Sequence, residues 1–157
     1  MKLALQLRKE GQLKESNERF LRLVKESPED PQLNYQLAWS FDVLGLEAEA
    51  VAFYEKSITS GLQGKDLEGA LLGLGSAYRA LSEYEKSEAT LLKGIELFPE
   101  NHAMKAFYAM VLYNLGRHQE AMAFLLKGLA VTSSDPSIQA YKRAIEFYSD
   151  KLDEVWK

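Results

Sequence analysis

Residues 44–54 read Leu-Gly-Leu-Glu-Ala-Glu-Ala-Val-Ala-Phe-Tyr, in which a glycine is followed five positions later by a small residue and, four positions after that, by a large one. The same spacing occurs four times along the chain. The first positions of the copies are Gly11, Gly45, Ser82 and Gly116, the small ones are Ser16, Ala50, Ser87 and Ala121, and the large ones are Phe20, Tyr54, Leu91 and Leu125. Successive copies start 34, 37 and 34 residues apart. Because a unit of this length cannot bury its own apolar face, the pattern predicts a solenoid of stacked units.

Each unit carries the pattern of two helices. In the second half, apolar and small residues recur at i, i+3, i+4, i+7 and i+8, as in the segment from Ala50 to Ile58. This spacing is typical of a helix that packs on one side. The Asp-Pro pairs at 30–31 and 135–136 are typical of helix starts. The longer second interval predicts an extended loop at about residues 60–66.

These features resemble the tetratricopeptide repeat (TPR), a helix–turn–helix unit of about 34 residues. Residues 44–54 and 114–121 match the repeat well, and the segment 69–129 is similar to a bacterial subgroup of the family. The resemblance implies an all-α fold, a right-handed α-solenoid of about four TPR units in a single domain over residues 1–157. The expected repeats cover residues 1–30, 31–64, 68–101 and 102–135.

A different pattern follows the repeats. Apolar residues alternate steps of three and four over about 18 residues, which predicts one helix at 136–156 that caps the fourth unit. The residues of this seam are Ile138, Tyr141, Ile145, Tyr148, Leu152 and Val155. Phe147 and Trp156 lie off the seam. Such aromatic residues either contribute to a binding groove or form a patch for self-association.

The resemblance implies that a partner binds on the concave face lined by the first helix of each unit. By spacing, Arg8 of the first unit projects there too. The residues expected to form the partner-binding groove are Tyr35, Trp39, Asp42, Leu72, Ser76, Arg79, Met110, Tyr113 and Asn114. This set is aromatic and carries little charge, so it predicts a shallow trough for an apolar or helical segment of a protein.

Several groove residues allow two interpretations. Gly69 and Gly73 either form a low floor for a partner or let neighbouring helices crowd together, since glycine is unfavourable within a helix. Trp39 is either an interface anchor or a space-filling residue between adjacent first helices. Asp42 and Arg79 either pair with each other, which is favoured, or orient a partner's backbone.

One known binding mode of the family is not expected here. Chaperone-binding members hold a carboxyl-terminal peptide with a clamp of lysine, asparagine and arginine side chains. The matching positions in this chain are Met1, Leu5, Gln36, Gly69 and Gly73. The sequence therefore disfavours a chaperone co-factor of that kind.

Composition points away from catalysis and from several partner classes. The chain of 157 residues has a net charge of −4, no cysteine and two histidines, His102 and His118, without ligand-spaced carboxylates. We expect no catalytic residues, no metal, no cofactor and no enzymatic activity. Basic residues are scattered among glutamates, so nucleic acid and membrane surfaces are not expected partners. The first residues form too short an apolar run for a signal peptide, which favours the cytoplasm.

Three functions stay open at this point. The leading hypothesis is an adaptor that holds a peptide or helical segment of another protein in the aromatic groove. A second is a structural protein that forms a homodimer through its last helix. A third is a regulator that changes shape when it binds a signalling peptide, as some bacterial relatives do.

Overall fold

A computed structural model describes residues 1–156, and this part of the chain consists of ten helices without a strand. The helices are α1 (Lys2–Lys9), α2 (Leu13–Glu26), α3 (Pro31–Asp42), α4 (Glu47–Thr59), α5 (Gly64–Ala80), α6 (Tyr84–Leu97), α7 (His102–Asn114), α8 (His118–Thr132), α9 (Pro136–Ala140) and α10 (Lys142–Tyr148). The first eight form four consecutive pairs, one for each copy of the sequence pattern. The all-α repeat fold predicted from the sequence is confirmed.

The turn inside each pair explains the first position of the pattern. Gly11, Gly45 and Gly116 have φ angles of 79°, 72° and 78°, and Ser82 has 62°. This left-handed conformation costs glycine little and ends a helix by letting the next amides bond backward. In the second pair, the Leu46 N–H donates to the Phe41 carbonyl at 3.1 Å.

The small residue of the pattern lies where the two helices of a pair touch. Ser16 and Ser87 are completely buried, and Ala50 is buried as well. The Ser16 hydroxyl donates to the Ala4 carbonyl at 2.7 Å, and the Ser87 hydroxyl donates to the Gly75 carbonyl at 2.6 Å. Equivalent serines in two repeats therefore join the second helix to the first by the same bond.

Residues 1–90 form one compact unit, and a second begins at Leu91. In the first unit, α3 packs into two apolar clusters. Leu37 joins α1 and α2 residues such as Phe20, whereas Ala38 joins α4 and α5 residues such as Tyr54 and Leu74. Because neighbouring helices cover both sides of α3, several of its polar residues are buried as well.

The second unit is built on the pairing of α7 with α8. Tyr108 is buried and meets Phe124 edge to face, with ring centroids 5.0 Å apart. Met104, Val111 and Leu112 are fully buried. Both α9 and α10 contact α8.

The extra residues of the second interval lie in a helix instead of a long loop. α5 begins at Gly64 and has 17 residues, compared with 12 in α3 and 13 in α7. The connection from α4 is therefore residues 60–63, shorter than the predicted loop at 60–66. The first helix of the third repeat begins at 64, whereas the predicted repeat begins at 68.

The capping segment differs from the predicted single helix at 136–156. At Tyr141 the N–H donates to the Ile138 carbonyl at 3.2 Å, three residues back, which tightens the backbone and separates α9 from α10. Helix α10 ends at Tyr148, and Trp156 returns to place its ring 5.2 Å from the Tyr148 ring. In a continuous helix these residues would stand about 12 Å apart along the axis. The contact between the two rings therefore requires the chain after α10 to fold back towards Tyr148.

Candidate functional site

The nine residues expected to form the groove lie on three first helices. Tyr35, Trp39 and Asp42 are on α3, Leu72, Ser76 and Arg79 are on α5, and Met110, Tyr113 and Asn114 are on α7. The first six belong to the unit of residues 1–90, and the last three belong to the unit that begins at Leu91. Leu72, Ser76 and Arg79 are half-buried, whereas Met110, Tyr113 and Asn114 are exposed.

Trp39 is exposed yet held by its neighbours. Its side chain is 42% exposed, and its ring stacks on that of Tyr35 with centroids 6.2 Å apart. The Arg8 guanidinium lies 4.2 Å from the Trp39 ring centroid, within the range of a cation–π interaction. The sequence placed Arg8 on this face by spacing. It could not show the contact with Trp39, because the two residues are 31 positions apart and meet only when the helices pack.

The Arg8 side chain is held in place by partial burial and by contacts with neighbouring side chains. The guanidinium also lies over the Phe20 ring at 5.2 Å and donates to the Gln36 side-chain oxygen. Burial lowers the pKa of Arg8, and the nearby Tyr35 and Tyr54 oppose that shift. Gln36, one of the positions compared with the chaperone clamp, thus serves to orient this arginine.

Tyr35 is buried and does not present its ring to solvent, so its expected place on the groove wall is corrected. Its ring contacts the ring of Trp39 on the same helix, α3, and the ring of Tyr54 on α4. The centroids of the Tyr35 and Tyr54 rings are 6.3 Å apart. Burial, followed by the charge of Asp66, raises the pKa of Tyr35. The residue supports Trp39 from beneath and is not a contact surface.

Two of the glycines in α5, Gly69 and Gly73, each lie against a tyrosine hydroxyl. A methyl group added at Gly69 would collide with the Tyr35 hydroxyl, and one added at Gly73 would collide with the Tyr54 hydroxyl. Of the two interpretations of these glycines, the crowding of neighbouring helices is therefore the one observed. The open glycine floor expected from the sequence is occupied by tyrosine side chains.

Asp42 bonds to a tyrosine and not to the expected arginine. The Tyr54 hydroxyl donates to Asp42 Oδ2 at 3.0 Å. Burial raises the pKa of Asp42, the Tyr54 bond opposes this, and Glu47 adds to it. Burial and the Asp42 carboxylate raise the pKa of Tyr54 as well. Tyr54 was recognised in the sequence as a packing residue, and no local signal indicated its bond to α3.

The α7 residues of the expected groove are among the more exposed in the second unit. Tyr113 is 64% exposed, and its ring lies 4.8 Å from that of His118 at the start of α8. Met110 lies about one turn earlier on the same helix and is also exposed. This end of α7 offers an aromatic ring and a flexible thioether to a partner.

Among residues 1–156, histidine and carboxylate side chains do not gather in a group of three or more that could hold a metal ion. None of the helices in the same range combines the length and apolar character that crossing a membrane requires.

Comparison with known proteins gives one family and several structural neighbours. A family model described as tetratrico peptide repeat matches residues 31–152. The crystal structure of MamA has a TM-score of 0.78 at 17% identity, covering 96% of this chain and 90% of that one. YrrB, described as a TPR protein with an unusual peptide-binding site, has a TM-score of 0.73 at 15% identity, covering 96% and 77%. PilF of Pseudomonas aeruginosa has a TM-score of 0.69 at 16% identity, covering 99% and 75%. The comparison with curated proteins finds no match.

Proposed function

The chain belongs to the tetratricopeptide repeat family, whose members generally act as protein-interaction scaffolds, and from this membership we propose that it is a non-catalytic adaptor. Its ligand is a peptide or a helical segment of another protein. Each unit presents a binding surface on the first helices of its repeats, anchored by Trp39 in the first unit and by Tyr113 in the second.

The exposure of a firmly held tryptophan carries this proposal. Trp39 leaves 42% of its surface in solvent although Tyr35 and Arg8 contact its ring. Tryptophan and arginine are enriched among the residues that dominate binding energy at protein interfaces. A ring that is already ordered loses little further freedom when a partner covers it, which favours affinity.

The chemistry of the neighbouring residues supports an apolar or helical ligand. Val43, one turn after Trp39, is exposed, as are Met110 and Tyr113 on α7. Asp42 is engaged by Tyr54. In each unit, exposed aromatic or aliphatic groups with few available charges suit the apolar face of an amphipathic segment. The peptide-binding site named for YrrB adds support for this ligand class.

Peptides selected from a random displayed library against the intact chain test this proposal. Trp39→Ala should weaken the peptides that bind the first unit, and Tyr113→Ala those that bind the second, by at least about tenfold, since truncating an aromatic anchor commonly costs about 2 kcal/mol. Leu97→Ala is the matched control and should bind normally. Leu97 lies on α6, the second helix of its repeat, and its exposure falls between those of Trp39 and Tyr113. Circular dichroism checks that each variant stays folded. Normal binding by both aromatic variants would contradict the proposal.

A specific observation favours self-association as a second candidate. Phe147, Tyr148 and Trp156 contact one another and are each about half exposed, and the adjacent Val155 is 82% exposed. Exposed apolar patches of this kind mark interaction surfaces. In this case the intact chain should scatter light as a dimer and Trp156→Glu as a monomer. Leu3→Glu, at another exposed apolar position, should leave the dimer unchanged, and a monomeric intact chain would reject this candidate.

A further inference from the structure

We propose that a cavity between α7 and α8 binds a small apolar molecule that ends in a carboxylate. The cavity lies entirely within the second unit and has a volume of about 280 Å³. Space of this size holds roughly ten water-sized groups, which corresponds to a molecule such as octanoate. The site is separate from the residues assigned to peptide binding.

One wall of the cavity is apolar and already in position. Phe124 lines it and is held edge to face against the buried Tyr108, with ring centroids 5.0 Å apart. Ala123 and Val131 continue the wall along α8. An apolar ligand body would therefore meet a surface that needs no rearrangement.

Gly128 gives the cavity its depth. A methyl group added at this glycine would meet no atom within 4 Å, whereas Gly69 and Gly73 each sit against a tyrosine. Glycine within a helix is unfavourable compared with alanine. No neighbouring side chain occupies the space above Gly128, so a ligand can fill it.

The polar groups of the cavity favour an anion. Lys105 and Lys127 line it, together with Glu120. Glu120 is already engaged, because Arg117 donates to its two oxygens at 2.7 Å each. Asp150, whose charge interacts with that of Lys127, is paired with Lys151 at 2.6 Å. Two lysine side chains beside carboxylates that are already paired suit a ligand with one carboxylate head.

His102 provides an independent sign of a missing polar contact. It lines this cavity and a second one of about 180 Å³, which also shares Lys105, Phe124 and Gly128 with the first. Its Nδ1 is buried and has no hydrogen-bond partner among residues 1–156. Buried polar atoms in proteins normally have a partner, and a rotation of the imidazole that exposes Nδ1 to the cavity would let the ligand's head group supply one.

Calorimetric titration of the intact chain with octanoate tests the proposal. A ligand of this size should bind with a dissociation constant on the order of 0.1–1 mM. Octanol should bind at least about tenfold more weakly, because it leaves the two ammonium groups without a charged partner. Octylamine should not bind. Absence of octanoate binding, or equal binding of octanol, would overturn the proposal.

Two sets of variants locate the binding. Gly128→Leu should fill the cavity and abolish octanoate binding, while Met122→Leu on the same helix should bind normally. Lys105→Gln combined with Lys127→Gln should weaken octanoate at least about tenfold and leave the weak octanol binding unchanged. Circular dichroism verifies folding. Octanoate binding by Gly128→Leu equal to that of the intact chain would place the ligand elsewhere and reject the site.

The carboxyl terminus of a peptide has the same chemistry as a free amphiphile. A short peptide ending in leucine with a free carboxylate is therefore titrated beside its amidated form. Binding of octanoate and not of the peptide supports a free amphiphile as the natural ligand. Binding of the free peptide and not of its amide, with the same loss in Gly128→Leu, supports a chain terminus.

Discussion

Tyr54 shows how one residue connects three helices. It lies on α4, donates to Asp42 on α3, and places its hydroxyl against Gly73 on α5. The side chain is 2% exposed. Because the ring cannot move into solvent, the residues that face it must keep their size and polarity.

Gly73 is expected to resist enlargement for this reason. An added methyl group would stand 2.5 Å from Tyr54 Cζ, so Gly73→Ala should lower the free energy of unfolding by about 1–3 kcal/mol despite alanine's better helix propensity. Urea unfolding followed by circular dichroism measures the effect. Gly128→Ala, where the space is open, is the matched control and should gain up to about 1 kcal/mol. Equal gains in the two variants would contradict the packing described for Tyr54.

Asp42 should make stability depend on pH. Burial raises its pKa in the folded protein, so its contribution to stability is full below the unfolded pKa and is lost as pH rises through the folded pKa. Asp42→Asn keeps an acceptor for Tyr54 without the buried charge and should raise the melting temperature at pH 7. The difference should shrink as the pH approaches 4. Glu100→Gln, at an exposed position, controls for the loss of one charge, and a pH-independent difference would count against this reasoning.

At the scale of the elements, α3 depends on a well-formed start. Asp30 Oδ1 accepts from the backbone N–H groups of Gln32 and Leu33, both at 2.9 Å, and Pro31 occupies the first turn. Asn34 donates to the Pro28 and Asp30 carbonyls at 2.9 and 2.7 Å. These bonds join the helix to the preceding turn.

Removal of the cap should therefore destabilise the first unit. Asp30→Ala should lower the free energy of unfolding by about 1 kcal/mol, the usual cost of losing an acidic or hydroxyl cap. Chemical unfolding measures it. Glu29→Ala removes the neighbouring carboxylate, whose exposed pairing with Lys56 contributes little, and should change stability by less than half as much. A larger effect at Glu29 than at Asp30 would disprove the capping role.

At the scale of the whole molecule, burial is unevenly distributed among the helices. α3 and α5 each contain six buried residues, whereas neither α9 nor α10 contains one. Local opening costs least where few apolar contacts are broken. The last two helices should thus be the least protected.

Hydrogen exchange followed by mass spectrometry measures this difference. Backbone amides of α9 and α10 should exchange at least about tenfold faster than those of α3 and α5. Helix α7, which has five buried residues, is the internal reference within the second unit. Protection of α10 equal to that of α7 would mean that the exposed aromatic cluster is covered in solution, as in a dimer.

The sequence alone was sufficient for the helix pairs, their turns and the caps at Asp30 and Asp135. These features follow from residues close together in the chain, since apolar spacing, left-handed turn positions and Asp-Pro pairs act locally. It also selected Trp39, Met110 and Tyr113 as exposed residues of the first helices, because side-chain direction follows helical spacing.

Only the tertiary structure determined which residues surround each of these side chains. Tyr35 is buried with its hydroxyl against Gly69, and α10 ends at Tyr148, where Trp156 folds back on it. Such outcomes depend on residues brought together by packing between helices, and periodicity within one helix does not carry that information. The helical pattern therefore predicted the paired helices of the repeats, while contacts between elements determined which of their residues remain available to a partner.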